Sequence, residues 1–292
     1  MNTFELNKIK CADSLLKQTP KKEDYSLIIN QDTLFTKNGA NVGLYIKIRK
    51  EQSNLIRAAS LNTKYIKGSR TRGIQTQSSI FGSLPRIARR NDYCRFSSQT
   101  KSEKSNTSIL FSFLPHLTEI YKKYLPKQYD RDIEIINENV IDDYILQKKA
   151  PFTTANINVN HAIKYHRDTG NFKGNLSNVL ILRDGIEGGQ LVFPEYGFAL
   201  AQEDSYLAIF DGQSEIHGVM PIIKTKENPY RASIVYYTLE NMKHCYPFKM
   251  ELERLKNVAS VRANRRAENQ DPTKIKKERN SSKKAENISP KK

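Results

Sequence analysis

Thr153-Thr-Ala-Asn-Ile-Asn-Val159, Asn178-Val-Leu-Ile-Leu182, Gly188-Gly-Gln-Leu-Val-Phe193, Phe198-Ala-Leu200, Tyr206-Leu-Ala-Ile-Phe210, His217-Gly-Val-Met-Pro-Ile-Ile223 and Arg231-Ala-Ser-Ile-Val-Tyr-Tyr-Thr-Leu239 are seven short runs separated by turn residues. The runs are rich in β-branched and aromatic residues, and the first and last alternate with a period of two, as strands do. Many short strands with few helices between them point to a double-sheet jelly roll, a double-stranded β-helix, over residues 151–240. The expected fold class is α+β, mainly β, with that core braced by N-terminal helices.

Upstream, Ser108 to Leu125 reads as a helix, with Leu110, Phe111, Leu114, Leu117, Ile120, Tyr121 and Tyr124 on one stripe. Pro115 marks a kink or a second start within it. Arg131 to Gln147 reads as another helix. Residues 1–67 form an N-terminal α/β extension: a helix over Asn2–Lys17 from the spacing of Leu6, Ile9, Ala12, Leu15 and Leu16, strands at Tyr25–Ile29 and Val42–Ile48, and a short helix at Glu51–Leu61. A larger domain that holds the jelly-roll core would span 68–248. Within it, 68–104 has little periodicity and reads as a basic loop. Its Arg70, Arg72, Arg86, Arg89, Arg90 and Arg95 are interleaved with Phe81, Tyr93 and Phe96. Such a loop suits a phosphate-and-base surface as well as plain solvent. Residues 249–292 read as a frayed helix followed by a basic tail with almost nothing apolar to bury.

The chain has 292 residues and a formal charge of +17. The 14 basic and 6 acidic residues from Lys249 onward carry +8 of it, so the body of the chain is basic as well. That balance favours a polyanionic partner, most readily nucleic acid. Cys11, Cys94 and Cys245 form no CxxC pair, so no disulfide framework is expected and a reducing, intracellular setting is. No apolar run reaches the ~18 residues of a membrane span, and no protein partner is implied.

His166 and Asp168 are two apart, so both side chains leave one face of a strand. His217 arrives from a distant strand. Two imidazoles and one carboxylate can occupy one face of an iron ion and leave three positions open. An HxD pair alone also fits a surface histidine beside a charged pair. Arg231 weighs against that reading. It shares a strand face with Ser233, and an inward-facing arginine is costly unless it meets an anion. A dicarboxylate that also chelates the metal would meet it, and HxD, His and RxS in this order are the signature of an iron(II), 2-oxoglutarate-dependent dioxygenase.

The sequence resembles the TET/JBP family of nucleic-acid 5-methylpyrimidine dioxygenases, especially its phage and viral relatives. The resemblance rests on Phe81-Gly-Ser-Leu-Pro-Arg86, Asp92-Tyr-Cys94, Phe152–Asn160 leading into His166-Arg-Asp168, Gly188-Gly-Gln-Leu-Val-Phe-Pro-Glu-Tyr-Gly197, His217-Gly-Val-Met-Pro221 and Arg231-Ala-Ser-Ile-Val-Tyr-Tyr237. It implies that His166, Asp168 and His217 hold Fe(II), that Arg231 binds the distal carboxylate of 2-oxoglutarate with Ser233 beside it, and that O2 is the third reactant. It further implies that Asn171 contacts a flipped base, as an amide can. Asn171 in Thr169-Gly-Asn also reads as a turn former. Gly170 stands where animal members carry a histidine, and no cysteine-rich zinc platform accompanies the domain.

The implied reaction is hydroxylation of the 5-methyl of 5-methylcytosine in DNA to 5-hydroxymethylcytosine and onward to higher oxides, with Tyr165, Phe172 and Tyr196 as candidate stackers that read equally as core. Thymine, RNA, a protein or small-molecule substrate, and a DNA-binding protein with an inactive jelly roll are the alternatives.

Overall fold

The computed structural model of the protein describes residues 1–70, 74–86 and 93–269. The N-terminal part contains β1 (Asn2–Glu5), β2 (Leu27–Ile29), β3 (Thr33–Lys37), β4 (Ala40–Lys47), α1 (Lys50–Asn62), β5 (Ile66–Arg70), β6 (Ile74–Leu84) and β7 (Arg95–Phe96). Four helices follow: α2 (Ser98–Ser102), α3 (Lys104–Ser112), α4 (Leu114–Tyr124) and α5 (Pro126–Asn139). The remainder is β8 (Thr154–Val159), β9 (Ser177–Asp184), β10 (Ile186–Gly188), β11 (Leu191–Phe193), β12 (Phe198–Leu200), β13 (Tyr206–Phe210), β14 (Gly218–Val219), β15 (Ile222–Lys224), β16 (Tyr230–Tyr237) and α6 (Phe248–Asn269).

The strands build a large sheet in the order β1-β3-β4-β13-β9-β16-β8-β6-β5, with β7 on β6, and a smaller sheet in the order β14-β11-β12-β2. A β10–β15 ribbon completes the set. Alternation explains the layering. On one face of the large sheet Leu44, Leu180, Leu182, Leu207, Ile209, Ile234 and Tyr236 pack against Ile56 and Ala59 of α1 and Leu110, Leu114, Leu117 and Tyr121 of α3 and α4. On the other, Phe35, Tyr45, Ala208 and Phe210 meet Leu191, Phe193, Phe198 and Leu200 of the small sheet. Helices, large sheet and small sheet are three layers, as expected of a helix-braced jelly roll.

The N-terminal segment departs from its helical pattern. Asn2–Glu5 pairs in parallel with Thr33–Thr36 as β1 on β3, and Phe4 packs edge-on against Phe35 and Phe198 at 6.1 and 5.4 Å. Of the expected helix only a single 3-10 turn at Asp13–Leu15 forms. The pairing with the sheet edge wins because it satisfies backbone groups and buries an aromatic at once. β1, β3 and β4 extend the core sheet through β13.

The stretch read as a basic loop also changes. Ile74–Leu84 is a strand paired with β8 through Gln77–Gly82. Phe81 lies in the core. Arg86 bonds the fully buried carboxylate of Glu251 at 2.7 Å and lies 4.5 Å over the Tyr246 ring, so it pins α6 rather than facing a phosphate. Arg95 bonds the Tyr93 carbonyl at 2.9 Å. Arg72, Arg89, Arg90 and the tail beyond residue 269 lie outside the described residues. The Ser108–Leu125 helix is divided at Phe113, where Pro115 opens α4. The helix expected over Arg131–Gln147 is α5, which starts earlier and ends at Asn139, followed by extended Val140 and a 3-10 turn.

The three cysteines are not all free. Cys94 and Cys245, 151 residues apart, form a disulfide, and Cys11 remains an exposed thiol. Among the described residues no helix is long and apolar enough to cross a membrane.

Candidate active site

His166 and His217 lie on separate short segments that hydrogen-bond each other through their own backbones: His166 N–H to His217 O at 2.9 Å, and His217 N–H to His166 O at 3.1 Å. This bridge brings the two rings to 4.4 Å between centroids. Asp168 joins them because its N–H bonds Gly212 O at 2.7 Å. Gly212 is required there, since a Cβ would run into the Asp168 carboxylate and the Ser177 hydroxyl. The result places one ligand atom from each of His166, Asp168 and His217 within 4.8 Å of one another. His166 Nε2 is 3.5 Å from Asp168 Oδ1, and His217 Nε2 is 3.8 Å from Oδ2.

The outer sides of these groups are already satisfied. His166 Nδ1–H donates to Lys164 O and His217 Nδ1–H to Glu215 O, each at 2.9 Å. Because a carbonyl only accepts, each neutral ring keeps its lone pair on Nε2, turned toward the other two ligands. Ser177 Oγ–H donates to Asp168 Oδ2 at 2.6 Å. Burial lowers the His217 pKa to about 4, against the pull of Asp168, so the ring is neutral at pH 7. Burial would raise Asp168, but its hydrogen bond with His166, the positive charge that His217 takes on below about pH 4 and the Ser177 hydroxyl bring it down to about 2. Two imidazoles whose Nδ1 atoms are engaged by carbonyls, with Nε2 turned toward an ionised carboxylate, are the donor set that suits non-haem Fe(II).

The triad opens into a cavity of about 300 Å³ that also receives Arg231, Ser233 and Asn171. Arg231 sits in β16 opposite Arg183 of β9 and is 1% exposed. Its Nη2 donates to Gly189 O at 3.3 Å, while Nε and Nη1 have no hydrogen-bond partner. Burial and the neighbouring Arg183 lower its pKa to about 10, which leaves it a cation at neutral pH. Gly189, at φ +71°, lets the guanidinium pass, since a Cβ would stand 2.9 Å from Arg231 Nε. A buried cation with open N–H groups, in the same cavity as three metal-type donors, fits a chelating carboxylate.

Asn171 lies in a backbone bridge with Leu239 near Gly170, and its carbonyl accepts from the Gln213 side chain. The candidate stackers do not line this cavity. Tyr165 donates to Asp24 at 2.8 Å in a separate cluster, Phe172 packs with Cys94, Ile136 and Met242, and Tyr196 packs on Phe198. All three are core residues. Residues that sequence reading passed over do reach the cavity: Asn156 and Asn158 from β8, Tyr237 and Leu239 from the end of β16, and Gln202 from the β12–β13 turn. The period-two pattern of Thr153–Val159 carried the signal for the two asparagines, because it puts them on the face opposite Ala155 and Ile157.

Residues 85–240, just over half of the chain, match the family described as the oxygenase domain of the 2OGFeDO superfamily (Tet_JBP). The bifunctional helicase and thymine dioxygenase JBP2 of Trypanosoma brucei brucei is 27% identical over 121 residues. That is 41% of this chain but 11% of the relative, so the chain spans about a tenth of JBP2's length. The structure of NgTET1 in complex with 5mC DNA aligns over 83% of this chain and 92% of its own, with a TM-score of 0.59 at 12% identity, which shows a shared fold. A 2OG-Fe(II) oxygenase family oxidoreductase from Burkholderia pseudomallei aligns over 67% and 85% at 10% identity, with a TM-score of 0.46. The chain belongs to the Tet_JBP family and is an Fe(II)- and 2-oxoglutarate-dependent dioxygenase.

Proposed function

We propose that this dioxygenase hydroxylates the 5-methyl group of a flipped pyrimidine in DNA, converting 5-methylcytosine to 5-hydroxymethylcytosine and onward to higher oxides. The observation that carries the reading is the buried, open-handed Arg231 in one cavity with the His166–Asp168–His217 cluster. His166, Asp168 and His217 would hold Fe(II), and Arg231 with Ser233 would hold 2-oxoglutarate. When bound, the iron supplies the oxidising chemistry, consuming 2-oxoglutarate and O2. The protein's own work is positional. The two Nδ1–H bonds keep the imidazoles turned inward, Ser177 steadies the carboxylate, and β16 sets the distance from the cosubstrate anchor to the metal.

DNA as the substrate rests on three supports: the +17 charge, the likeness to NgTET1 captured with 5mC DNA, and the likeness to JBP2. A methyl group inside a duplex cannot reach a cluster set within a cavity, so the base must leave the stack at a cost of a few kcal/mol. Asn171 at the cavity presents an amide that can both donate and accept to a base edge. A DNA substrate supports action inside the cell. JBP2, named a thymine dioxygenase, favours thymine as the second reading.

The test is mass spectrometry of nucleosides after incubation with Fe(II), ascorbate and 2-oxoglutarate on DNA holding both bases. 5-Hydroxymethylcytosine is expected, and 5-hydroxymethyluracil alone would move the substrate to thymine. Oxidised base made undiminished by His217→Ala would remove the triad from the chemistry; the expected loss is at least about 10³-fold, or about 4 kcal/mol.

A further inference from the structure

We infer that Gln202 is a third cosubstrate anchor, its side-chain amide donating to the distal carboxylate of 2-oxoglutarate beside Arg231. The inference rests on the reading of this cavity as the 2-oxoglutarate site. Gln202 is 1% exposed and lines the cavity with Arg231, and its Nε2 has no hydrogen-bond partner. Together with Nε and Nη1 of Arg231, three buried nitrogens of one cavity stand without acceptors. An amide or guanidinium N–H stripped of water and left unpaired is expensive, and so marks a place where an acceptor belongs. Among the described residues the cavity's only carboxylate is Asp168, which is engaged with Ser177 and the two histidines.

The backbone holds Gln202 in place for that task. Its φ of +56° lies in the left-handed region, which a glutamine enters at a cost. Both flanks fix it there: Ala201 N–H bonds Ile29 O at 2.9 Å, and Glu203 N–H bonds the Tyr45 hydroxyl at 3.1 Å. Arg183 Nη1 donates to Gln202 O and to Gly188 O, each at 3.2 Å, and so ties the Gln202 turn to the turn that carries Gly189. Arg183 and Arg231 already oppose each other across β9 and β16. A third cation would add repulsion to that pair, whereas an amide adds a donor and no charge. A carboxylate, with about four lone-pair sites, can accept from several such donors at once.

The experiment measures binding to the anaerobic Fe(II)-loaded protein by calorimetry. It compares 2-oxoglutarate with 2-oxobutyrate, which keeps the 2-oxo acid but lacks the distal carboxylate. Gln202→Leu should weaken 2-oxoglutarate about tenfold or more, the worth of a hydrogen bond to a charged group, and leave 2-oxobutyrate unchanged. Gln202→Asn tolerates the left-handed backbone but draws the amide back, and should show the same selective loss with the fold secure. Unchanged 2-oxoglutarate affinity in both variants, or an equal loss for both acids, would overturn the proposal, the latter by exposing a structural role. Arg231→Ala separates the two readings. If it weakens 2-oxoglutarate while the Gln202 variants do not, only the Gln202 assignment fails; if it too has no effect, the cavity is not the cosubstrate site.

Discussion

Arg231 and Asp132 are both buried charged-type residues with side-chain atoms left unpaired, and they resolve that burial in opposite ways. Asp132, on α5, is fully buried; Oδ1 accepts from Gln128 Nε2 at 2.7 Å and Oδ2 has no partner. Burial raises its pKa to about 7, against the smaller pulls of Gln128 and Arg131, so the group can shed its charge near neutrality. Arg231 has no such exit: burial lowers it only to about 10. A buried group that can neutralise itself is compatible with pure structure. One that stays charged, in a cavity, calls for a counterion from outside the chain.

The largest effect is expected at Arg231. Arg231→Met removes the anchor while keeping apolar bulk, and 2-oxoglutarate affinity should fall about 100-fold or more, as for loss of one partner of a buried charge pair. The ligand-free protein should move the other way, melting higher by the equivalent of about 1–3 kcal/mol, because an uncompensated buried cation is gone. Calorimetry and thermal melts with and without 2-oxoglutarate read both signs. A variant that melts lower without ligand and binds as wild type would break the comparison.

Asp132 provides the pH-dependent counterpart, with no effect on ligand affinity expected. The unfolded carboxyl ionises near 3.8 and the folded one at about 7. Between those values only the unfolded chain releases its proton, so the neutral carboxyl's contribution is whole below pH 3.8 and is lost as pH rises through 7. At about 1.4 kcal/mol per pH unit the loss reaches about 4 kcal/mol at most. Asp132→Asn should therefore stabilise the protein at pH 8 and change little at pH 4. Equal effects at both pH values would mean that the carboxyl never carries the burden assigned to it.

The same contrast bears on what could be read in the sequence. Six of the seven runs between Thr153 and Leu239 each hold one main strand within a few residues of the expected ends, because alternation and glycine turns are local signals, whereas His217–Ile223 breaks at Met220-Pro221 into β14 and β15, which join different sheets. His166, Asp168, His217, Arg231, Ser233 and Asn171 came together at one cavity, but only Arg231 and Ser233 do so from a strand: His217 just precedes β14, and His166, Asp168 and Asn171 lie between β8 and β9, not on the strand their spacing suggested, held by backbone bonds to His217, Gly212 and Leu239. Gln202 was hidden for the opposite reason: a polar residue before Glu203-Asp204 looks like any solvated turn, and its burial is decided by Tyr45, Ile29 and Arg183, all distant in the chain. The Cys94–Cys245 pair, 151 residues apart, leaves no mark in spacing. Asn2–Lys17 misled because its apolar spacing suits a helix, whereas the edge of β3 offered the backbone a partner. Local periodicity carries elements; it does not carry the long-range competition among them.

At the metal end the one charge, on Asp168, is tethered by hydrogen bonds within the chain, so a substitution there should act by loosening rather than by stranding a charge. Ser177→Ala removes the hydroxyl that donates to Asp168 Oδ2 at 2.6 Å and leaves His166 and His217 in place. The carboxylate keeps its charge but loses its tether. Metal affinity should fall about 10- to 100-fold, the usual worth of an outer hydrogen bond to a ligand. The affinity of the metal-saturated protein for 2-oxoglutarate should stay near wild type, since Arg231 is untouched. Competition with a metal chelator gives the first number and calorimetry at saturating Fe(II) the second. A loss of 2-oxoglutarate affinity as large as that in Arg231→Met would show that the two ends of the cavity are not separable, and that the anion is held by the metal cluster more than by the arginine.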